Sequence, residues 1–429
     1  MALKKQAHFD SAGVAAIVDQ GALALCRFLL IVGFARLLPA DDFGVVTLVI
    51  SAAYFLAYVQ RALIALPFVT SCATIAGLRS SGSDWFWFST ALAILTAALC
   101  AVITAILLAS NAPEWAVRFV GVFAIAGPAC WFYEFSRRWL FQWRSSGIAI
   151  AQASGFSVSA AVTFAFFALS PSLARASVVL TVPYVVPAIA AFFCRRPLWP
   201  EWPSISQTWL RAWGITKWTL GDAALRLVDV AGIQLWLAIA VGPASAGVFM
   251  AGRNVVAPVF TLLSAVELAE LPKMSRAFAE QNTSGLRKSL WLIAASIAVF
   301  VLPYLGVVFA FSSEILPWMY GSAFAAFGSV LRWWAIVQLL AAGSMPFDWL
   351  LLSSLFPRTL FACRAVGIAV MIGAGAFLIE PRGVVGALMA MAAGAFTALA
   401  LAAFAVLRKG LGTRQSRMQT LQFRAGKLN

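Results

Sequence analysis

Four arginines interrupt long apolar runs of the sequence: Arg27, Arg61, Arg226 and Arg253. A guanidinium group is always charged, and it can bind a phosphate or a carboxylate through two parallel hydrogen bonds. Acidic residues occur in the same runs and are candidate proton or sodium sites: Asp19, Asp222, Asp229 and Glu267. The alternative is that these acids only neutralise the arginines. Both interpretations concern the binding of charged groups, and no nucleophile and base pair is visible that would indicate an enzyme.

The spacing of the polar residues places them on helix faces. From Gly44 to Pro67 they recur with the period of an α-helix, as Thr47, Ser51, Tyr54, Tyr58 and Arg61. Asp222, Arg226 and Asp229 stand at i, i+4 and i+7 and can pair along one helix. The polar faces concentrate on the first, second, seventh and eighth apolar runs.

Composition decides the solvent around these helices. The 429 residues are 62% hydrophobic and only 11% charged, which is typical of an integral membrane protein. Apolar runs of about 20 residues predict roughly twelve spans: 12–37, 44–66, 86–109, 117–140, 147–169, 175–194, 218–241, 246–270, 289–311, 325–350, 359–379 and 383–407. Four arginines facing lipid would cost roughly 10 kcal/mol. The sequence therefore predicts that they face a cavity, pair with acids, or extend to the interface.

The basic residues indicate the orientation. Loops on one side collect most lysines and arginines, whereas the other side holds only Arg36, Arg118, Arg175 and Arg382. The positive-inside rule then places both termini in the cytoplasm. The net charge of +15 is then explained by the orientation in the membrane and by attraction to anionic lipid headgroups, so binding of nucleic acid is not expected. His8 is the only histidine and the six cysteines are scattered, so no metal or cofactor is expected.

The middle of the chain predicts a division into two halves. Residues 201–217 are rich in tryptophan and positive charge and are predicted as a cytoplasmic linker between two six-helix bundles, 1–200 and 218–429, the second with a basic tail. The segments ending ALIALP at Pro67 and ELAELP at Pro272 echo each other. Six spans in each half predict a pseudo-twofold axis along the membrane normal. The predicted fold is thus an all-α polytopic membrane protein with duplicated halves.

This organisation, with ARLLPADDFG before the second span and AGVFMAGRNVV and LPKMSRAFAE after the seventh, resembles the bacterial polysaccharide and O-antigen flippases. Their superfamily includes the multidrug and toxin extrusion (MATE) exporters. The resemblance implies alternating-access transport of an undecaprenyl-pyrophosphate-linked oligosaccharide across the bacterial inner membrane, with polysaccharide polymerases and glycosyltransferases as possible partners. It also implies a cleft lined by basic residues, which correspond here to Arg27, Arg61, Arg226 and Arg253. Tyr54 and Tyr58 are positioned to contact the sugars.

Other interpretations remain open at this point. A cation-coupled MATE-like exporter would share the fold but would favour an acidic cleft. A membrane polymerase or ligase would need a large periplasmic loop, and the predicted loops are short; a non-transporting scaffold is a further alternative. For individual residues, Arg61 is near enough to a helix end to extend to the interface, and Arg226 has two acids within reach on its own helix.

Overall fold

A computed structural model describes residues 21–65, 68, 75–143, 146–194, 213, 220–221, 224–225, 227–279, 282–353 and 356–408. Every regular element within these ranges is a helix. This agrees with the all-α prediction. The termini, whose cytoplasmic placement was predicted, lie outside the described residues.

The N-terminal part contains seven helices in the described residues. They are α1 (21–37), α2 (Ala40–Gln60, continued by a π-helical turn Arg61–Ala65), α3 (Ile75–Ala109), α4 (Glu114–Gln142), α5 (Ser146–Leu169), α6 (Leu173–Cys194) and α7, which is π-helical over Leu227–Gly232 and α-helical over Ile233–Ala240. Pro39 precedes α2, and Asp41 and Asp42 lie in its first turn, where the helix dipole favours negative charge.

The described residues of the C-terminal part also form helices. Its elements are α8 (Pro243–Ala279), α9 (Thr283–Ser296, a π-helical segment Ile297–Val301, and Leu302–Ala310), two short helices Ser312–Tyr320 and Ser322–Phe327, α10 (Gly328–Ser353), and a long helix Pro357–Arg408. The long helix bends at Gly383, whose φ of 55° is the left-handed conformation that glycine adopts without strain. We label its two arms α11 (357–382) and α12 (384–408).

The chain falls into two compact units, Met1–Gly247 and Val248–Asn429. The first unit therefore includes the beginning of α8. The linker predicted at 201–217 lies, except for Trp213, outside the described residues, so the predicted domain boundaries stay a prediction. The predicted pseudo-twofold axis likewise stays a prediction.

The helices are suited to a membrane. In the described part of the chain, nine helices are long and apolar enough to cross one, and the longest of them is the bent pair α11 and α12. Large apolar side chains point outward from them; Leu169, Phe377 and Leu407 are each at least 78% exposed. Helices satisfy their own backbone groups, which lipid cannot do. The chain is a multi-pass membrane protein, as the composition predicted.

Helix α4 contributes to two of the hydrophobic cores described in the first unit. Together with α2 and α3 it encloses an aromatic cluster around Trp85, Phe86, Trp131, Phe135 and Trp139. Together with α1, α5 and α6 it forms a second core that includes Leu23, Tyr133, Phe156, Ala160 and Ala188. Tyr133 belongs to one core and Phe135 to the other, and this fixes the direction of the residue between them, Glu134.

Candidate functional site

An ion pair joins α1 to α4 inside the first unit. Arg27 Nη2 donates to Glu134 Oε1 at 3.0 Å, and the two side chains are 21% and 14% exposed. The pair links positions 107 residues apart, and it places the charge of Arg27 against an acid from another helix. Arg27 therefore does not face lipid, as the cost of an intramembrane arginine required.

The same carboxylate also binds an arginine of its own helix. Arg137 Nη1 donates to Glu134 Oε2 at 3.2 Å. Arg137 and Arg138 follow Glu134 at i+3 and i+4, which places all three on one side of α4. Arg138 is within electrostatic range of Glu134 and of Arg61 at the end of α2. We call these five residues, Arg27, Arg61, Glu134, Arg137 and Arg138, the arginine cluster.

Aromatic rings surround the guanidinium group of Arg27. Its Cζ lies 5.6 Å from the ring centre of Tyr54, 5.7 Å from that of Tyr184 and 5.9 Å from that of Phe156. The last two rings also contact each other edge to face at 5.0 Å. A cation this close to a ring is attracted by the negative face of the π system. The rings come from α2, α5 and α6, so three helices hold the guanidinium group in position.

Positive charge exceeds negative charge in the arginine cluster. Its five residues carry four positive charges, on Arg27, Arg61, Arg137 and Arg138, and one negative charge, on Glu134, which leaves three positive charges in excess among them. In addition, the buried Nε atoms of Arg27 and Arg138 have no hydrogen-bond partner among the described residues. A buried donor without an acceptor is costly, so this arrangement favours binding of a further anion.

The structure brings some predicted site residues together. Arg27 and Tyr54 are in contact, as the stacking distance shows. Arg61 is exposed at the start of the π-helical turn, and Tyr58 is partly buried one turn before it on α2. The role of these four residues in substrate binding stays a prediction.

The predicted residues of the C-terminal half are only partly described. Arg253 on α8 is half-buried, and its buried Nη1 has no hydrogen-bond partner within the described ranges. Its neighbour Asn254 donates to the Tyr320 hydroxyl at 3.1 Å. Arg226, Asp19 and Asp222 lie outside the described residues, as do the side chains of Asp229 and Glu267. Their predicted roles in substrate binding and ion coupling stay predictions.

The polar face of α2 is divided. Thr47 and Ser51 are buried: Thr47 donates to the Gly44 carbonyl at 2.8 Å, and Ser51 donates to the Gln234 side chain of α7. Gln234 in turn donates to the Ala246 carbonyl at 3.1 Å. The first half of the face thus packs α2 against α7, and only its second half, from Tyr54 to Arg61, reaches the arginine cluster.

Sequence reasoning missed Glu134, Arg138 and Tyr184. Arg137 was missed as well, because the two arginines entered the prediction only among the basic residues that indicate the orientation. The available signal was the spacing in YEFSRR, which places an acid three and four residues before two arginines inside a predicted span. An intramembrane acid with basic residues one turn away is a candidate functional group by default.

A metal centre is not indicated by the described residues, which contain no group of three His, Cys, Asp or Glu side chains able to hold a metal ion. The arginine cluster has an excess of donors and positive charge, whereas a metal site needs acceptor atoms and negative charge. The arrangement is suited to an anionic ligand.

Comparison with known proteins identifies the fold. No protein-family model matches the sequence, and no curated protein matches it. The chain is similar to the inward-facing conformation of a multidrug resistance MATE family transporter of the MOP superfamily, with a TM-score of 0.73 and 13% identity over 90% of this chain and 94% of that one. The chain has a MATE-like transporter fold.

Two further solved structures agree with this. The lipid II flippase MurJ, in an inward closed conformation, gives a TM-score of 0.67 at 12% identity over 92% of this chain and 87% of that one. The outward-facing conformation of a MATE family transporter gives 0.59 at 13% identity over 93% and 94%. Identities this low show the fold alone. The more specific resemblance to polysaccharide flippases stays a prediction.

Proposed function

We propose that this protein is a flippase that moves undecaprenyl-pyrophosphate-linked oligosaccharide repeat units from the cytoplasmic to the periplasmic leaflet. The product would serve exopolysaccharide, capsule or O-antigen synthesis. The observation that carries the proposal is the arginine cluster, because it combines excess positive charge with buried unpartnered donors. The fold supports it, since one of its structural neighbours is a lipid II flippase.

The charge of the cluster suits a pyrophosphate. At 5 Å and an effective dielectric constant of 20, each pair of opposite unit charges contributes about 3 kcal/mol. A pyrophosphate with about two negative charges would offset two of the three excess positive charges of the arginine cluster. Arginine is also the side chain that binds phosphate oxygens in bidentate geometry. Tyr54 and Tyr58 lie on the same face of α2 and offer rings and hydroxyl groups to the sugars.

Transport by alternating access fits the fold. Solved MATE family transporters with this fold are described in inward-facing and in outward-facing conformations. We propose that this chain alternates in the same way, and that one or more of Asp19, Asp222, Asp229 and Glu267 binds a coupling ion. The proposed setting is the bacterial inner membrane with both termini in the cytoplasm, where polymerases and glycosyltransferases of the same pathway would be partners. Catalysis is not part of the proposal.

A second candidate function is export of cationic drugs. It is favoured by the TM-score of 0.73 to a multidrug resistance transporter and by the intramembrane carboxylate of Glu134. The arginine cluster argues against it, since excess positive charge repels a cationic drug. Drug susceptibility of cells that overproduce the protein separates the two functions, because only an exporter would raise resistance.

The proposal is tested by complementation of a bacterial strain that lacks the gene. Arg27→Ala and Arg61→Ala should abolish surface polysaccharide, whereas Arg27→Lys and Arg61→Lys should keep part of it because charge survives without the bidentate fork. Arg118→Ala is the matched control, since Arg118 is exposed and pairs only at the surface of α4, with Glu114 and Asp42 among the described residues.

Membrane abundance of each variant is measured in parallel. Normal polysaccharide from Arg27→Ala and Arg61→Ala, at normal abundance, would contradict the proposed anion site. If the Arg61 side chain only extends to the interface, Arg61→Ala alone would leave transport almost unchanged.

A further inference from the structure

We infer that Glu134 is an exchangeable counter-ion: it holds Arg27 while the site is empty, and it moves to the arginines of its own helix when an anionic phosphate group binds Arg27. This inference rests on the proposed function and deepens it, because it assigns a residue that sets the affinity of the site. It makes Glu134 a specificity-determining residue that competes with the substrate.

The geometry of the ion pair allows exchange. Each oxygen of the Glu134 carboxylate accepts one hydrogen bond from a different arginine, Arg27 at 3.0 Å and Arg137 at 3.2 Å. Neither contact is the two-bond fork that makes an arginine and carboxylate pair strongest. A phosphate group offers several acceptor oxygens and more charge, so it can replace the single bond to Arg27 with a bidentate contact.

Arg27 does not depend on Glu134 for its position. The rings of Tyr54, Phe156 and Tyr184 lie within 5.9 Å of its Cζ, and they belong to three different helices. Attraction between the cation and these rings persists when the carboxylate leaves. The guanidinium group is therefore preorganised, and exchange of one anion for another needs no movement of α1.

Glu134 has a second place to bind. Arg138 lies at i+4 on the same helix, interacts electrostatically with Glu134, and has a buried Nε with no hydrogen-bond partner among the described residues. Pairs at i and i+4 meet on a helix surface, so a change of side-chain rotamer is enough to transfer the carboxylate. The carboxylate then stays paired in both states and its charge is never left uncompensated.

The pair of Arg27 and Glu134 is partly exposed. Their side chains are 21% and 14% exposed, whereas that of Arg137 is only 6% exposed. Exchange breaks the contact between Arg27 and Glu134, which is the more exposed of the two. The contact between Arg137 and Glu134, which is the more buried, persists.

The test measures binding of inorganic pyrophosphate to the purified full-length protein in detergent, by calorimetry and by the ligand-induced shift of the unfolding temperature. Glu134→Gln removes the competing charge and should bind pyrophosphate about tenfold more tightly than wild type, which is the contribution of one charge-assisted hydrogen bond. Glu134→Asp keeps the charge but shortens the side chain, so it should also bind more tightly. Asp348→Asn is the matched control, because it removes the carboxylate of a similar pair, Asp348 and Arg364 at 3.2 Å, in the other unit.

The outcomes separate this inference from the proposed function. In one outcome, wild type binds pyrophosphate, Arg27→Met does not, and both Glu134 variants bind it no more tightly than wild type. That result would overturn the exchange of Glu134 but would still support the anion site. Absence of pyrophosphate binding in wild type and in both Glu134 variants would overturn both. If neither Glu134 variant folds, the carboxylate is structural and exchange is overturned. Tighter binding by a folded Glu134 variant, with Asp348→Asn like wild type, supports it.

Discussion

The pair of Arg27 and Glu134 predicts a measurable coupling energy. The perturbations are Arg27→Met, Glu134→Gln and the double variant, and the measured quantity is the free energy of unfolding in mixed micelles. Arg27→Met removes one charge-assisted hydrogen bond, worth about 1.5 to 3 kcal/mol, while the apolar stem still packs against Tyr54 and Tyr184. Glu134 keeps its contact to Arg137 at 3.2 Å, so we expect a loss of about 2 kcal/mol.

Glu134→Gln should cost more. It leaves Arg27, Arg137 and Arg138 without the carboxylate that faces all three, and breaking a buried pair from one side typically costs about 3 to 5 kcal/mol. In the double variant one of the uncompensated charges is gone, so its loss should be smaller than the sum of the single losses by about 2 kcal/mol, the contribution of the bond that joined the pair.

Measuring transport in the same variants separates the effect of each substitution on stability from its effect on function. The double variant should be about as stable as Glu134→Gln and remain inactive in complementation, because its ligand-binding guanidinium group is missing. A coupling energy below about 0.5 kcal/mol is expected for two residues that do not interact. Such a value would contradict the ion pair between Arg27 and Glu134. Normal transport by the double variant would show that Arg27 has only a structural role.

Three further predictions concern packing and topology. Gly44→Ala should lower the free energy of unfolding by about 1 to 3 kcal/mol, because the new Cβ would lie 1.9 Å from the Pro243 carbonyl oxygen. Gly306→Ala is the control and should be tolerated, since a Cβ there would have nothing within 4 Å. Equal abundance and stability of the two variants would contradict the close approach at Gly44. Gln234→Leu should cost about 1 to 3 kcal/mol, since it leaves the buried Ser51 hydroxyl unpaired, and an unchanged unfolding midpoint would contradict that. Reporter fusions should report the cytoplasm after Arg79, Arg196, Arg287 and the C-terminus, and the periplasm near Pro113 and Ser313; a periplasmic C-terminus would overturn the predicted orientation.

Much of the fold could be predicted because each span carries its own signal. The spans predicted at 117–140, 147–169 and 175–194 agree within three residues with α4, α5 and α6, since an apolar run of fixed length is a local property. The lengths of helices that continue beyond their apolar run were underestimated. The predicted 86–109 begins eleven residues after the start of α3 at Ile75, because the residues before it are polar and remain helical.

The site was less predictable because its contacts are not local. Arg27 was recognised from its position in an apolar run, but its partner is 107 residues away and depends on the packing of α1 against α4. Nothing in the sequence distinguishes Tyr184, which contacts Arg27, from the other tyrosines. The period of α2 correctly placed Tyr54 on the polar face with Ser51, yet it could not show that Ser51 is buried by Gln234.

The π-helical turn Arg61–Ala65 resets the phase of α2. A π-helical turn accommodates one residue more than an α-helical turn, so every side chain beyond it is rotated by about 100° from where a helical wheel would draw it. Ile64 within the turn and Phe68 beyond it belong to the aromatic core, and Phe68 stacks on Trp139 with ring centres 5.9 Å apart. A related chain without the π-helical turn would align with this one only with a one-residue gap at this position. A deletion of one residue here would preserve the helix while turning its end away from the core.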